Sequence, residues 1–376
     1  MSGGGQVRYV SNLADQLVRQ GHHVAIGCKP GSTLVGHGRR IGAAVYDRFL
    51  FRGGLRIGAW LRDLQTMLRL IRNQTPDVLH VNGSQDHWIA AVANRILGFP
   101  VPVVRTRHNT YPVANSCPNR MLNRRWTTFQ IVVCDAVRQT LADHPAFDSA
   151  RMRSVHNGVD AALFRPDSET CILARREFGY GPENVVCGIV ARLVPAKGHE
   201  FLFRAARLLI DDFPQLRILV LGQGEREAEL KRLADSLGLT EIVRFAGYRE
   251  DMPYCVQALD IGVQPSIDCD TSSFSLKEQM AAEIAVVASD YGGLPEIITD
   301  GVEGFIVPAG EVEPLAKALQ NLIADKALRT RMGQAGRTRV LNEFTVELFA
   351  ERTLEAYREA IALHHRARGI AGNGVR

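Results

Sequence analysis

The sequence predicts an α/β protein that contains two doubly wound parallel sheets. The chain has 376 residues, which exceeds an ordinary single core and favours two domains. Short apolar runs rich in β-branched residues alternate with longer amphipathic segments, and this alternation is typical of strand-helix-strand units with parallel strands. The pattern stops near residue 166 and then starts again, which indicates a second sheet after the first.

The first domain is predicted to cover residues 1–166. Its strands are separated by amphipathic stretches such as residues 6–21. An Asn-Gly pair and a proline interrupt the periodicity within residues 156–167, which is typical of a connection between domains. The predicted strands of this domain are residues 22–27, 77–81, 102–106 and 130–134.

The second domain is predicted to cover residues 167–345, and residues 346–376 follow it. The terminal residues 368–376 are expected to be disordered, as the ends of chains often are. The predicted strands of the second domain are residues 184–193, 216–222, 242–247, 260–266, 285–289 and 304–308.

Cysteine usage and hydropathy exclude several protein classes. The seven cysteines are odd in number and form no C-x-x-C pair, so neither a disulfide framework nor a zinc site is indicated. We interpret them as buried thiols in a reducing compartment. No apolar stretch reaches the length of a transmembrane helix and no signal peptide is recognisable, so we expect a cytoplasmic protein.

The charge is distributed unequally along the chain. Residues 1–165 contain 21 Lys and Arg against 9 Asp and no Glu, which gives +12; the totals of 45 and 40 leave 24 minus 31, or −7, for the rest. A basic half can attract an anionic membrane surface, a phosphorylated acceptor or nucleic acid. Nucleic acid ranks last, because no reading motif accompanies the arginines.

Three glycine-rich loops lie next to predicted strands or helices, at positions where such loops commonly bind phosphate. In open parallel sheets the ligand lies beyond the carboxyl ends of the strands, where backbone N–H groups can meet phosphate. Each loop alone is weak evidence, and none has the full G-x-G-x-x-G pattern of a dinucleotide site. The loops are residues 3–7, 222–227 and 291–296.

Two cations lie in the loop ARLVPAKGHE, residues 191–200. In isolation, Arg192 and Lys197 are most simply interpreted as part of a solvated loop. At the end of a strand and facing glycine loops they would instead hold a diphosphate, with Arg192 as a planar fork and Lys197 as a point charge.

Acidic residues follow the strand predicted at 260–266. Asp268 and Asp270 form a D-x-D pair, but such pairs are common in surface loops, so we predict no metal site. Asp270 and Glu278 are eight residues apart, one before and one inside a helix predicted to begin near Ser273. This spacing could place both carboxylates at the ligand site.

The ordered set of motifs resembles the retaining glycosyltransferases of the GT-B fold, the glycosyltransferase group 1 (glycogen-synthase-like) family. The resemblance covers nearly the whole chain and is strongest after residue 155. It implies two Rossmann-like domains that face each other across a cleft, and a C-terminal helix that crosses back to the first domain. The motifs are GGQV, TRH, HNGVD, ARLVPAKG, LGQGE, D-x7-E and SDYGGLPEIITDGVEGFIVP.

The resemblance also implies roles for individual residues. Arg192 and Lys197 match the diphosphate-binding pair, and Glu278 matches the acid that binds the donor ribose. His108 matches a histidine near the transferred sugar, although a structural histidine at a strand end is the alternative. His80 also follows a strand and is interpreted as structural. Backbone approach to the donor is implied for Gly4, Gly5, Gly222 and Gly224.

The loop YGGLPE is expected to contact the donor in the same way. Gly292 and Gly293 would leave room for the sugar and diphosphate, and their N–H groups and that of Leu294 would donate to donor oxygens. Glu296 would position the loop, or it is an ordinary acid at a helix N-terminus. The family usually has Glu followed by Gly-Phe-Gly where this chain has Asp270 followed by Thr-Ser-Ser, so the sugar contact of Asp270 is left open.

The function implied is that of a metal-independent, retaining hexosyltransferase without a cofactor. Its co-substrate would be a UDP- or GDP-linked sugar, and its acceptor a glycan or lipid-linked molecule in lipopolysaccharide or polysaccharide biosynthesis, with possible peripheral attachment to the inner face of the membrane. A nucleotide-sugar epimerase of the same architecture and a non-catalytic sugar-nucleotide-binding protein are the alternatives. The sequence leaves the donor base, sugar, linkage and oligomeric state open.

The start of the sequence leads to one further expectation. The family normally begins with an apolar strand before the GG loop, and that strand is central in a doubly wound sheet. Here only Met1, Ser2 and Gly3 precede Gly4. We therefore expect the strands near 23–27 and 77–81 to lack a partner, and we hypothesise that the full-length protein begins upstream.

Overall fold

Two units divide the chain. In a computed structural model that describes residues 4–54 and 56–369, the first unit includes the chain up to Gly158 and again from Val346, and the second spans Val159–Thr345. The boundary lies between Gly158 and Val159, before the position predicted at residue 166. The segment from Val346 belongs to the first unit. Residues 370–376 of the predicted tail lie outside the described residues.

The strands are short, and every pairing between them is parallel. In chain order they are β1 (Ala25–Gly27), β2 (Ala44–Tyr46), β3 (Leu79–Val81), β4 (Val103–Arg107), β5 (Phe129–Val132), β6 (Met152–Ser154), β7 (Val185–Val190), β8 (Leu216–Leu221), β9 (Val243–Gly247), β10 (Ile261–Gln264), β11 (Ala285–Ser289) and β12 (Gly304–Val307).

Helices connect these strands. They are α1 (Gly5–Arg19), α2 (Thr33–Arg40), α3 (Ile57–Gln74), α4 (Ser84–Ile96), α5 (Cys117–Arg120), α6 (Asp135–Ala142), α7 (Ser168–Glu177), α8 (His199–Leu209), α9 (Glu227–Ser236), α10 (Met252–Val256), α11 (Phe274–Ala281), α12 (Val312–Ala324), α13 (Lys326–Glu343) and α14 (Val346–Ala367). A π-helical segment covers Met121–Trp126, and 3-10 turns cover Ser149–Arg151, Pro195–Lys197 and Leu294–Glu296.

The second unit contains one six-stranded sheet in the order β12-β11-β10-β7-β8-β9. Successive side chains of a strand point to opposite faces, and both faces of this sheet are covered. Cys187 and Ile189 of β7 pack in the core on one side, while Val186 packs in the core on the other. Apolar residues therefore run almost without interruption along β7, as expected for a strand buried on both faces.

The first unit contains a four-stranded sheet in the order β3-β4-β5-β6 and a separate pair of β1 with β2. Helix α14 returns to this unit and packs on α1, where the rings of Tyr9 and Phe349 meet edge to face with centroids 4.8 Å apart. Both rings are buried. The return of α14 agrees with the crossing helix that the resemblance implies.

The gap expected in the first sheet is visible in the strand pairing. Among the described residues, β1 pairs only with β2, and β3 pairs only with β4. These are the two strands that were expected to lack a partner. Met1, Ser2 and Gly3 lie outside the described residues, and the hypothesis of an upstream start stays a prediction.

All ten predicted strands are confirmed, with ends shifted by a few residues. The sequence analysis missed β2 and β6. Each has only three residues, and one of them is arginine or exposed alanine, so neither produces the apolar run by which the other strands were recognised.

The cysteines follow the sequence analysis only in part. All seven are free, and Cys28, Cys134, Cys187 and Cys255 are buried. Cys171 and Cys269 are half-buried and Cys117, which begins the short helix α5, is exposed, so the prediction that all are buried was wrong for these three. No helix in the described part of the chain is both long and apolar enough to span a bilayer.

Candidate functional site

Four loops of the second unit meet at one edge of its sheet. They follow β7, β8, β10 and β11, which are neighbours in the order β11-β10-β7-β8. The carboxyl ends of parallel strands lie at the same sheet edge, which is where open α/β sheets bind ligands. We call these loops, residues 191–198, 222–226, 265–273 and 290–296, the strand-end cluster.

An ion pair between Lys197 and Asp270 lies at the centre of this cluster. Lys197 Nζ is 2.8 Å from Asp270 Oδ2. The side chain of Lys197 is 15% exposed and that of Asp270 is 6% exposed. A lysine this shielded from water is held in one position, because desolvation strengthens its attraction to the carboxylate.

The carboxylate of Asp270 also accepts hydrogen bonds from two neutral groups. Gln264 Nε2 donates to Oδ2 over 2.7 Å, and Ser266 Oγ donates to the same atom over 2.8 Å. Gln264 Oε1 in turn accepts from Ser275 Oγ over 3.1 Å. Three donors on one oxygen satisfy the buried charge, so Asp270 is built into the strand-end cluster as the partner of Lys197.

The Thr-Ser-Ser sequence after Asp270 makes local contacts of its own. Ser273 is the N-cap of α11 and accepts from the N–H of Leu276 over 3.2 Å, which confirms the predicted helix start. Ser272 Oγ accepts from Lys277 Nζ over 2.8 Å. Lys277 is fully buried and lies over the ring of Phe344 at 4.9 Å. The sequence analysis missed Lys277, because a lysine in a helix normally points to water.

The structure places Arg192 and Glu278 very differently. Arg192 lies in the loop after β7, with an exposed side chain. Glu278 lies on α11 and is 1% exposed. Arg192 is therefore accessible to a ligand in the described structure, whereas a contact between Glu278 and a donor needs local movement of the surrounding loops.

Glycines allow the loops of the cluster to approach each other. A Cβ atom on Gly222 would lie 1.9 Å from the carbonyl oxygen of Ala191, and one on Gly224 would lie 2.3 Å from that of Leu193. A Cβ atom on Gly292 would lie 2.1 Å from the carbonyl oxygen of Asp270. Contact between loops therefore requires these glycines. The sequence analysis had assigned room for the donor to Gly292 and backbone approach to the donor to Gly222 and Gly224, and those roles stay predictions.

Two of the predicted N–H donors are already used inside the protein. The N–H of Gly293 donates to the carbonyl oxygen of Asp270 over 3.2 Å, and that of Leu294 donates to Tyr291 O over 3.2 Å. Both N–H groups are thus engaged within the protein in the described structure, and their donation to donor oxygens stays a prediction. The N–H of Leu294 bonds within the tight turn that leads into the 3-10 segment, whereas that of Gly293 bonds to the neighbouring loop that contains Asp270.

The helix predicted after YGGLPE is also wrong. Glu296 ends the 3-10 turn Leu294–Glu296, and no α-helix follows it before β12. Its carbonyl oxygen accepts from Arg339 over 3.1 Å. Glu296 is therefore not an acid at the N-terminus of an α-helix. Arg339 of α13 holds this part of the loop.

The D-x-D pair is engaged in hydrogen bonds. Asp268 is exposed, and its Oδ1 accepts from the Tyr291 hydroxyl over 2.9 Å. This bond is the main cause of the lowered pKa of Asp268. Asp270 is paired with Lys197 as described above. No group of three or more His, Cys, Asp or Glu suited to a metal ion occurs within residues 4–54 and 56–369.

The remaining predicted site residues belong to the first unit. Gly4 is the N-cap of α1 and Gly5 is its first residue, so both lie at a helix N-terminus as expected. His108 follows β4; its Nε2 donates to Asn82 Oδ1 over 2.9 Å, and its ring meets Tyr9 edge to face at 4.7 Å. Burial lowers the pKa of His108 to about 3, so its ring is neutral near pH 7.

His80 forms two hydrogen bonds in the interior of the first unit. Its Nδ1 is 2.6 Å from the Tyr357 hydroxyl, and its Nε2 is 2.6 Å from Thr106 Oγ1. Burial lowers its pKa to about 3. The ring links β3, β4 and α14, which is the structural role that the sequence analysis gave it.

Two family models match the chain. The model for Glycosyltransferase Family 4 matches residues 3–163, and the model for Glycosyl transferases group 1 matches residues 174–339. These two matches fall on the first and the second half of the chain, in agreement with the two units.

Curated relatives show similarity over different lengths. A D-inositol 3-phosphate glycosyltransferase of Kribbella flavida is 30% identical over 321 residues, which are 76% of this chain and 71% of the relative. A GDP-mannose-dependent monoacylated alpha-(1-6)-phosphatidylinositol monomannoside mannosyltransferase of Corynebacterium glutamicum is 30% identical over 224 residues, 57% of each protein. The chain thus matches little more than half the length of this second relative.

Solved structures with low sequence identity share the fold. A glycosyltransferase from Rickettsia africae has a TM-score of 0.85 at 21% identity and covers 96% of both chains. The Anabaena protein Alr3699/HepE in complex with UDP-glucose has a TM-score of 0.81 at 21% identity, with 95% of this chain and 96% of that chain covered.

Proposed function

Because the chain belongs to the group 1 glycosyltransferases, with the GT-B fold of two Rossmann-like domains, we propose that it moves a hexose-type sugar from a nucleotide sugar to a glycan or lipid-linked acceptor. The observation that carries the proposal is the buried pair of Lys197 and Asp270 in the strand-end cluster. It fixes an ammonium group at the sheet edge where such folds bind ligands. The UDP-glucose in the Anabaena structure supports a UDP- or GDP-linked sugar as donor.

In this proposal the leaving diphosphate is stabilised by cations. Arg192 is exposed and can form a planar fork with phosphate oxygens, and Lys197 supplies a localised charge. Charge that develops on the diphosphate during transfer is then met by groups already in place, which is the most effective form of electrostatic catalysis. Glu278 would bind the donor ribose after a local rearrangement.

The proposed reaction retains the anomeric configuration and needs no metal. The departing diphosphate helps to deprotonate the acceptor on the face from which it leaves. Asp268 and Asp270 bond to Tyr291 and Lys197 in the structure, which supports roles other than metal binding. The cations would replace the ion that other transferases use to neutralise diphosphate.

The acceptor is proposed to be a lipid-linked or anionic glycan in cell-surface polysaccharide or lipopolysaccharide synthesis. The +12 balance of residues 1–165 favours an anionic partner. The name of the Corynebacterium relative, which includes a phosphatidylinositol glycolipid, supports a lipid-linked class. Attachment to the inner membrane face would follow from such an acceptor.

A two-step experiment tests this function. A thermal-shift screen of UDP- and GDP-linked sugars identifies the donor, because a ligand that binds only the folded state raises the melting temperature. The labelled form of that donor is then incubated with lipid and glycan acceptors, with and without EDTA. We expect transfer in both conditions with retention at the anomeric carbon.

Other outcomes would identify other functions. Conversion of the donor to its epimer without transfer would indicate an epimerase, and binding without turnover a non-catalytic binding protein. Transfer that EDTA abolishes and Mg²⁺ or Mn²⁺ restores would contradict the metal-independent mechanism.

A further inference from the structure

Helix α3 of the first unit presents two aliphatic side chains to solvent. Ile57 is 69% exposed and Leu61 is 48% exposed. Residues four apart lie on the same face of a helix, so the two side chains form one apolar strip over the first two turns. The buried face adjoins this strip, because Leu64 lies three residues after Leu61 on the same side of the helix; it contains Leu64, Met67, Leu70 and Ile71.

Arginines precede and follow this strip along the chain, and among the described residues they have no acidic partner. Arg62, Arg69 and Arg72 lie on α3 itself, and Arg52 and Arg56 lie just before it; all five are exposed. No ion pair to any of them occurs among the described residues. Five unpaired guanidinium groups beside an apolar strip give the surface a strong positive potential.

The one acid of α3 does not weaken this potential at the surface. Asp63 is 1% exposed, and its carboxylate accepts from the N–H groups of Leu50 and Phe51 over 2.7 and 2.8 Å. It anchors the loop before the helix and points away from solvent. The exposed face of α3 is therefore both apolar and basic.

We propose that the surface formed by Ile57 and Leu61 of α3, the three arginines of this helix and the two that precede it is a docking surface for an anionic lipid bilayer. A helix with an apolar strip flanked by arginine lies in the membrane interface, with its aliphatic side chains below the headgroups and its cations at the phosphates. Two aliphatic side chains in the centre of the patch favour lipid over RNA, whose bases are bound by stacking on aromatic rings. The inference deepens the proposed function, on which it rests for the lipid class of the acceptor.

Vesicle co-sedimentation of the full chain, without donor, tests the surface. The vesicles contain phosphatidylcholine alone or with phosphatidylglycerol, at low and physiological salt. The variants are I57Q/L61Q, which removes the apolar strip, and R62Q/R69Q/R72Q, which removes three charges. We expect binding only to the anionic vesicles, weakened by salt, and a loss of roughly tenfold or more in each variant.

The matched control is I172Q/L173Q in α7 of the second unit. Ile172 and Leu173 are 69% and 57% exposed, so the control removes equally exposed aliphatic groups, here on a helix that also contains Glu169 and Glu177. It should bind vesicles like the unchanged protein. Since all four side chains are exposed, the melting temperatures of both apolar variants should stay close to the original.

Three results would overturn the proposal. They are vesicle binding that I57Q/L61Q leaves intact, an equal loss in I172Q/L173Q, and binding of RNA but not of vesicles. Transfer to a water-soluble acceptor is measured in parallel, because it reports on the proposed function separately. A protein that transfers sugar but ignores vesicles would refute the docking surface alone, whereas one that binds vesicles through α3 without transferring sugar would refute the transferase function alone.

Discussion

At the scale of single residues, Asp270 acts on Lys197 by direct contact. Its Oδ2 accepts from Lys197, Gln264 and Ser266 over 2.7 to 2.8 Å, so the charge of the lysine is balanced before any ligand binds. Removal of one partner from a buried ion pair leaves the other charge uncompensated. We therefore expect Asp270 to serve catalysis as a positioning residue for Lys197.

Replacing Lys197 by Ala should lower kcat by roughly 10² or more, because the ammonium group is proposed to stabilise the diphosphate as it leaves. Steady-state transfer measures the effect. Lys231→Ala is the control: this exposed lysine pairs with Glu227 within α9 and lies over the ring of Phe245, outside the strand-end cluster, and its removal should leave kcat unchanged. Near-normal turnover by a folded Lys197→Ala protein would contradict the proposed role.

Asp270→Asn should lower kcat by about tenfold to a hundredfold, because Lys197 loses its charged partner while the side-chain shape is kept. The exposed neighbour Asp268, changed to Asn, is the matched control and should retain nearly full activity. In the double variant Lys197→Ala/Asp270→Asn the kcat should equal that of Lys197→Ala. Losses that multiply instead would show that Asp270 acts on the donor independently of Lys197.

At the scale of elements, the strand-end cluster depends on contacts between backbones. Gly222 and Gly224 bring the loop after β8 against the loop after β7, and Gly292 brings the loop after β11 against Asp270. Gly198 does the same between the Lys197 turn and Pro265. The position of Lys197 thus depends on all four loops, because the contacts that hold this part of the cluster together run from one loop to another.

Gly292→Ala should destabilise the protein more than Gly301→Ala. Both glycines have positive φ, +61° and +78°, but only at Gly292 would a Cβ atom meet another group, Asp270 O at 2.1 Å. The backbone strain alone costs about 1 to 2 kcal/mol, so the control Gly301→Ala should lose that much and keep its kcat. Denaturant unfolding and steady-state transfer measure the two effects. An equal loss of unfolding free energy in both variants would mean that the loops move apart to accommodate the added methyl group.

At the scale of the whole molecule, buried histidines connect stability to pH. His80 and His108 in the first unit have a pKa of about 3, and His199 in the second unit has a pKa of about 4, in each case mainly because of burial. These rings are neutral in the folded protein. The unfolded chain exposes them to water, where the pKa is near 6.5.

The free energy of unfolding should therefore fall as the pH drops below about 6.5. Between pH 6.5 and the lowered pKa, the unfolded chain binds protons that the folded chain does not. The stability that each buried histidine contributes is therefore fully present above pH 6.5. As the pH falls below 6.5, this contribution decreases by about 1.4 kcal/mol per pH unit. Denaturant unfolding at pH 7 and at pH 5.5 measures the change in the free energy of unfolding. Both pH values lie above the range in which carboxylates usually titrate. His108→Gln should reduce the change in unfolding free energy per pH unit. The control His22→Gln, at an exposed position, should leave it unchanged. An identical slope in all three proteins would contradict the assignment to buried imidazole.

Local patterns in the sequence determined the fold class, the ten strands other than β2 and β6, and the loops that carry the site, because apolar periodicity and glycine position act within a few residues of chain. The three-residue strands β2 and β6 lacked such a pattern. Only the tertiary structure decided that Asp270 bonds Lys197, which is 73 positions earlier, that Lys277 lies buried against Phe344, and that Gly292 serves a contact with Asp270. Each of these contacts joins residues that are far apart in the chain. They depend on distances of a few ångströms, which are fixed only when the sheet brings the ends of its strands to one edge.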